Sequence, residues 1–326
     1  MKKIIVLLIV LALALTACGN GGAPAQPAPE QQTTPGQDAP ATDENFTIGV
    51  AVFSMAAEFP ATINAAITEY IAELGLSGTV TLLSVDAGAD AATQVGQIET
   101  FIAQGVDGII LLPMDADALI PAVEAAYSAN IPLVTCNGTV NSDLVTAHVG
   151  SLDVVAGELS MQYMAERIGG SGQIAILRGP SGISAEILRR EGYENILRNF
   201  PDIEIVAEHA ANWSRAEALT TTENLIMAFP DLVAIIAQND EMAMGALEAI
   251  ISAGREDDII VGGIDAIPDA LYAVRDGSLA STVFQDAVGQ ARGAVDVILM
   301  LVRGEAASDV DIPFILVTQD NVNNFM

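Results

Sequence analysis

A chain of 326 residues, 51% of them hydrophobic, is long enough for two lobes of ordinary size, each with its own core. Its 42 acidic and 12 basic residues give a formal charge of −30. That balance repels nucleic acid and anionic lipid headgroups, since binding a phosphate backbone needs clustered cations. Both lysines, Lys2 and Lys3, lie at the start; without them 10 arginines face 42 acids (10 − 42 = −32). No lysine then remains for a P-loop or for Schiff-base chemistry, and any nucleotide hydrolysis falls to a partner subunit.

In chain order, Lys2 and Lys3 open a positive segment, and Ile4 to Leu15 form an apolar run too short to span a bilayer comfortably. The run ends in Leu15-Thr16-Ala17-Cys18, which resembles the lipobox of bacterial lipoproteins, whose cysteine receives a diacylglyceryl group. The expectation is a signal peptide over residues 1–17, lipidation at Cys18, and a body held at the cell membrane facing away from the cytoplasm. Residues 18–45, rich in Gly, Pro, Ala, Gln and Thr, cannot bury enough apolar surface to order themselves and read as a flexible tether. With Cys18 acylated, Cys136 is the remaining thiol, so no intrachain disulfide forms; it follows the apolar run Ile131 to Thr135 and reads as a packed residue.

From Phe46 onward, short apolar runs alternate with stretches of helical period. The runs Thr47–Phe53, Val80–Val85, Gly108–Leu112 and Pro132–Cys136 read as strands, with helices near Pro60–Leu74, Ala91–Ala103 and Ala116–Ala129. The strands lack polar alternation, as expected for a parallel sheet covered on both faces. The pattern then restarts. Gln173–Leu177, Glu204–Glu208, Leu232–Ala237, Ile259–Gly263 and Ala280–Phe284 read as strands. Helices fall near Ile183–Asn199, Arg215–Met227, Glu241–Ala253, Pro268–Val274 and Val288–Val302. This is an α/β chain with two doubly wound parallel sheets. Gly169-Gly170-Ser171-Gly172 lies between a helix and a strand, the wrong order for a dinucleotide fingerprint, and reads as a turn.

In doubly wound sheets, ligands bind at loops after the carboxyl ends of strands. Here those loops carry Ser54 to Pro60, Asn137-Gly138, Gly179 to Gly182, Asn212-Trp213-Ser214-Arg215, Gln238 to Ala243, Gly263-Ile264-Asp265 and Gln285. Two segments are distinctive: Ala237-Gln238-Asn239-Asp240-Glu241-Met242-Ala243-Met244-Gly245-Ala246-Leu247, and Val261-Gly262-Gly263-Ile264-Asp265 followed by Pro268-Asp269. In order and spacing they resemble the ribose/galactose-type periplasmic binding proteins, the type I solute-binding components of sugar ABC transporters. The likeness extends from Thr47 to Val317.

That resemblance implies two lobes, residues 46–150 plus 286–311 and residues 151–285 plus 312–326, with crossings near Gly150, Gln285 and Asp311. It implies that Asn239, Asp265 and Gln285 hydrogen-bond sugar hydroxyls, that Phe59 and Trp213 sandwich the ring, and that Asn137 faces the ligand. Planar amide and carboxylate groups suit vicinal hydroxyls, and an aromatic face suits the C–H face of a ring. The pattern departs from ribose binders at four places: Ala57 replaces an asparagine, Pro60 an aromatic, and Asn137-Gly138 an Asp-Arg pair. The second-lobe arginine falls on Ile187, with Arg189 and Arg190 close enough to leave the alignment open. The altered first-lobe half suits a deoxy-sugar, a less hydroxylated polyol or a more apolar metabolite better than ribose.

The expected function is non-enzymatic, with no cofactor and no metal: capture of a sugar or polyol and delivery to an ABC permease and its ATPase subunit by a monomeric, membrane-anchored receptor. Presentation of ligand to a chemoreceptor or sensor kinase is the alternative. Asp240 and Glu241 read as residues at a helix start rather than a catalytic pair. His148 and His209 stand apart, with no spacing suited to a metal or a Ser-His-Asp set. Phe53 and Met55 either line the cleft or pack, and Asp86 and Asp115 are either helix caps or contacts.

Overall fold

The computed structural model describes residues 45–326; the expected signal peptide, Cys18 and all of the expected tether but its last residue lie outside the described residues. The first lobe is laid down as β1 (Phe46–Val52), α1 (Glu58–Glu73), β2 (Val80–Asp86), α2 (Ala91–Gln104), β3 (Gly108–Leu112), α3 (Ile120–Ser128), β4 (Leu133–Cys136) and β5 (Ala147–Gly150). The second follows as α4 (Asp153–Arg167), β6 (Ser171–Arg178), α5 (Ser184–Leu197), β7 (Asp202–Ala210), α6 (Arg215–Ala228), β8 (Leu232–Ala237), α7 (Asp240–Ser252), β9 (Ile260–Gly262), α8 (Pro268–Asp276) and β10 (Thr282–Phe284). The chain closes with α9 (Ala287–Val302), β11 (Val310–Asp311) and β12 (Ile315–Val317).

The first sheet is parallel throughout, in the order β11-β5-β4-β3-β1-β2. Alternate residues feed opposite faces: Ile110 and Leu112 of β3 pack with Ile63 and Ile67 of α1 and Ile298 of α9, while Ile109 and Leu111 pack with Ile98 of α2 and Val123 of α3. Both faces are therefore dry, which is why GIILL carries no polar residue. The second sheet runs β7-β6-β8-β9, also parallel. Bridges Gly262–Ser281 and Asp265–Phe284 attach β10 beside β9, and β12 pairs antiparallel with β10. The chain passes between the sheets after Gly150, between Phe284 and Ala287, and after Asp311.

Four elements are absent from the strands and helices expected from sequence: β5, α4 and the short strands β11 and β12. β5, Ala-His-Val-Gly, is too short and too polar to show as an apolar run. α4 has little apolar periodicity because it buries small residues, Gly157 and Ser160 against α5 and Ala156 against Ile264, Val283 and Phe314. A side chain on Gly157 would run into the carbonyl of Arg189, so the close approach of the two helices requires glycine there. α3 starts four residues later than expected, at Ile120. Before it the Asp115 carboxylate accepts from the amides of Asp117 (2.9 Å) and Ala118 (2.7 Å), holding a turn, and Pro121 sits in the first helical positions.

Candidate ligand-binding cleft

The carboxyl ends of both sheets face a shared cavity of about 580 Å³. The lobes meet at its edge: the amide of Ala116 donates to the carbonyl of Gly182 (3.0 Å) and that of Thr139 to Ser184 Oγ (3.0 Å). Phe59, Asn137, Trp213, Asn239, Asp265 and Gln285 all line this cavity. Phe59 comes from the first turn of α1 and Asn137 from the loop after β4; the other four follow β7, β8, β9 and β10. Phe53 lines it as well, whereas Met55 packs against the first-lobe core.

The wall is organised around a residue that sequence alignment left open. Arg189 of α5 is 3% exposed. Its Nε donates to Asp153 (2.8 Å), one terminal nitrogen donates to the Gln238 carbonyl, and the other to Gln285 Oε1 (3.1 Å). The same guanidinium lies 3.9 Å from Asp265 and 5.8 Å from the centre of the Trp213 ring. Ile187, expected to hold the arginine's place, is 48% exposed and points away, which corrects that alignment. Arg190 turns aside too, pairing with Glu208 (2.7 Å) and Glu194 (3.0 Å). The signal was in the helical register: Ala185, Arg189, Gly192 and Tyr193 share the buried face of α5, and Ile187 does not.

Burial pushes the Asp265 carboxyl well above the usual carboxylate range; Arg189 opposes the rise, and Asp240, Asp153 and Glu58 add to it. Asp153 is likewise raised by burial, against the pull of Arg189. Burial disfavours the charge on Arg189, but Asp153 and Asp265 outweigh it and raise its pKa. Among the described residues, Asp265 accepts no side-chain hydrogen bond, and Gln285 Nε2 is buried without a partner. Asn239 caps α7, accepting from the Met242 amide (3.0 Å) through Oδ1. Asn137 Nδ2 donates to Gln290 of α9 (3.2 Å). Asp265 adopts φ 128° and Ala266 φ 60°, values that cost a non-glycine residue about 1–3 kcal/mol and mark a backbone held for a purpose.

Glu58, Arg215 and Glu241 also line the cavity, Arg215 pairing with Glu241 (2.9 Å), while other titratable groups sit elsewhere. Asp86 accepts from the amides of Met55 (3.1 Å) and Gly88 (2.9 Å), and neither it nor Asp115 lines the cavity. His148 shares a hydrogen bond with Thr135 Oγ1 (3.0 Å), and burial lowers its pKa. Cys136 is buried, its thiol pushed up to about 12, which leaves it unreactive. No cluster of three or more His, Cys, Asp or Glu suited to a metal occurs among the described residues. No helix among them is long and apolar enough to cross a membrane.

The sequence profile of the periplasmic binding protein domain matches residues 48–306. The chain belongs to the periplasmic binding protein family. It is 36% identical to a xylitol-binding protein of Mycolicibacterium smegmatis over 314 residues, covering 95% of this chain and 83% of that protein. It is 34% identical to a ribose import binding protein of Bacillus subtilis over 286 residues, 87% of this chain and 88% of the relative. An ABC transporter solute-binding protein from Bacillus halodurans, solved with bound myo-inositol, superposes with a TM-score of 0.83 at 36% identity, covering 87% of this chain and 98% of that one. This periplasmic binding protein thus shares the type I two-lobed fold, in a family of substrate-binding proteins rather than enzymes.

Proposed function

We propose that this periplasmic binding protein captures a neutral sugar or polyol between its lobes and hands it to an ABC permease driven by an ATPase subunit. The observation that carries the reading is the unmet hydrogen-bonding capacity of the second-lobe wall: the buried Gln285 Nε2 donor has no partner, and the buried Asp265 carboxyl has a 3.9 Å ion pair with Arg189 but accepts no side-chain hydrogen bond among the described residues, both lining the cavity with Trp213. A hydroxylated ring or chain supplies donors and acceptors together, and its C–H face suits an aromatic. A hydrogen bond to the Asp265 carboxyl contributes about 1 kcal/mol where the group is neutral and about 1.5–3 kcal/mol where it is charged. The relatives that bind xylitol, ribose and myo-inositol support the same class. The apolar first-lobe side, with Ala57, Phe59 and Pro60, favours polyols and less hydroxylated sugars over ribose.

In this reading Phe59, Asn137, Trp213, Asn239, Asp265 and Gln285 contact the ligand, joined by Arg189. The lobes comprise residues 46–150 plus 286–311 and residues 151–285 plus 312–326. A ligand touching both binds the closed form more tightly and shifts the open–closed population, and the permease reads the closed shape. Lipidation of Cys18 and the tether over residues 18–45 keep a monomeric receptor at the outer face of the cell membrane. A thermal-shift screen of xylitol, myo-inositol and ribose, followed also by the fluorescence of Trp213, the chain's single tryptophan, tests the ligand class. A ligand at 100 times its Kd stabilises by about 2.7 kcal/mol. Stabilisation by xylitol or myo-inositol is expected; no response to any neutral sugar or polyol overturns the reading.

A further inference from the structure

Asp240 lies outside the cavity lining, is fully buried, and is explained by neither capping nor ligand contact, since Asn239 takes the cap of α7. Its Oδ2 accepts from the amide of Ile267 (3.0 Å) and its Oδ1 accepts from the hydroxyl of Thr282 (2.8 Å). Thr282 Oγ1 in turn accepts from the amide of Ala266 (3.1 Å). The backbone amide of Asp240 donates to the carbonyl of Ile264 (2.7 Å). One residue thus grips the backbone before and after Asp265, directly and through Thr282, across the two positions of positive φ, Asp265 and Ala266. Gly263 makes room for it, because a Cβ there would overlap the Asp240 carboxylate.

We propose that Asp240 is a positioning residue for the cleft, holding the Asp265–Ile267 turn in the strained conformation that presents the Asp265 carboxylate to the ligand. Resting on the reading of the cleft as a sugar or polyol site, this assigns Asp240 a role in affinity without ligand contact. Burial raises the Asp240 carboxyl to about 7, while Thr282, Ile267, Ala266 and Arg189 pull it down. A neutral side chain would bury at less cost, so the carboxylate is retained for the two acceptors it offers.

The test compares Asp240→Ala, Asp240→Asn and Thr282→Val in the full chain. Amide hydrogen exchange at Ala266 and Ile267 is measured without ligand, and calorimetry follows with myo-inositol. Asp240→Ala should speed exchange at both amides and raise the Kd about tenfold or more. Asp240→Asn keeps an acceptor for Ile267 but not a second one for the Thr282 hydroxyl, and should raise the Kd by less than Asp240→Ala does. Thr282→Val should free the Ala266 amide alone, and combining it with Asp240→Ala should add little, as the two act in one chain of bonds. A folded Asp240→Ala protein with unaltered exchange and Kd overturns the assignment; if it does not fold, unaltered exchange at Ala266 in Thr282→Val does so. Failure of the unaltered protein to bind myo-inositol would count against that ligand, and the exchange rates would still decide for or against Asp240.

Discussion

The two walls of the cleft are built on different terms. The second-lobe wall is wired before any ligand arrives: Arg189 joins Asp153, Gln285 and the Gln238 carbonyl, and Asp240 holds the turn beneath Asp265. The first-lobe wall is mostly apolar, with Phe53, Ala57, Phe59, Pro60 and Met114 beside Ser54 and Glu58, and Asn137 is engaged to Gln290. A preorganised polar wall fixes orientation because its groups lose little freedom on binding, while an apolar wall contributes area with little direction. The contrast makes the second lobe the grip and the first lobe the cover.

The largest expected effect comes from breaking the hub of the grip. Arg189→Met leaves Asp153 buried without its partner and should destabilise the protein by about 3–5 kcal/mol in denaturant melts, with binding lost as well. If stability held, the wiring ascribed to this wall would be wrong. Asp265→Ala should leave the fold intact and weaken polyol binding by about 100-fold by calorimetry, the equivalent of about 2.8 kcal/mol of lost hydrogen bonding. Phe59→Ala, on the covering wall, should weaken binding by about tenfold with little change in which polyol is preferred. A larger effect there than for Asp265→Ala would invert the comparison.

The smallest effect is a pH slope. Asp240 titrates near 7 in the folded protein against an ordinary value of 3.8, so between these pH values the folded state holds more protons than the unfolded one. Its contribution to stability is therefore present at acid pH and lost as pH rises through that window. Melting temperatures of the ligand-free Asp240→Asn protein should fall less between pH 4 and pH 7 than those of the unaltered protein. Parallel curves would show that Asp240 does not titrate there.

The covering wall and the grip also differ in how legible they are from sequence. The strands announce themselves as unbroken apolar runs, and the loops at their carboxyl ends hold six side chains that the structure brings to one cavity. Arg189 was open because a local alignment cannot choose between neighbours on a helix, whereas the buried register of α5 can. α4 was hidden by small residues whose value is close approach rather than hydrophobicity. Asp240 was readable only as a residue at a helix start, since its bonds to Ile267 and Thr282 join residues 27 and 42 positions away.

The central claim is that a hydroxylated small molecule sits between the lobes on a wall made by the second. A crystal structure of the protein grown with xylitol or myo-inositol tests it most directly. The account predicts density in the cleft, with ligand oxygens within hydrogen-bond distance of Asn239, Asp265 and Gln285 and carbon atoms against Trp213. Ligand bound outside the cleft, or bound there without touching Asp265 and Gln285, would contradict it.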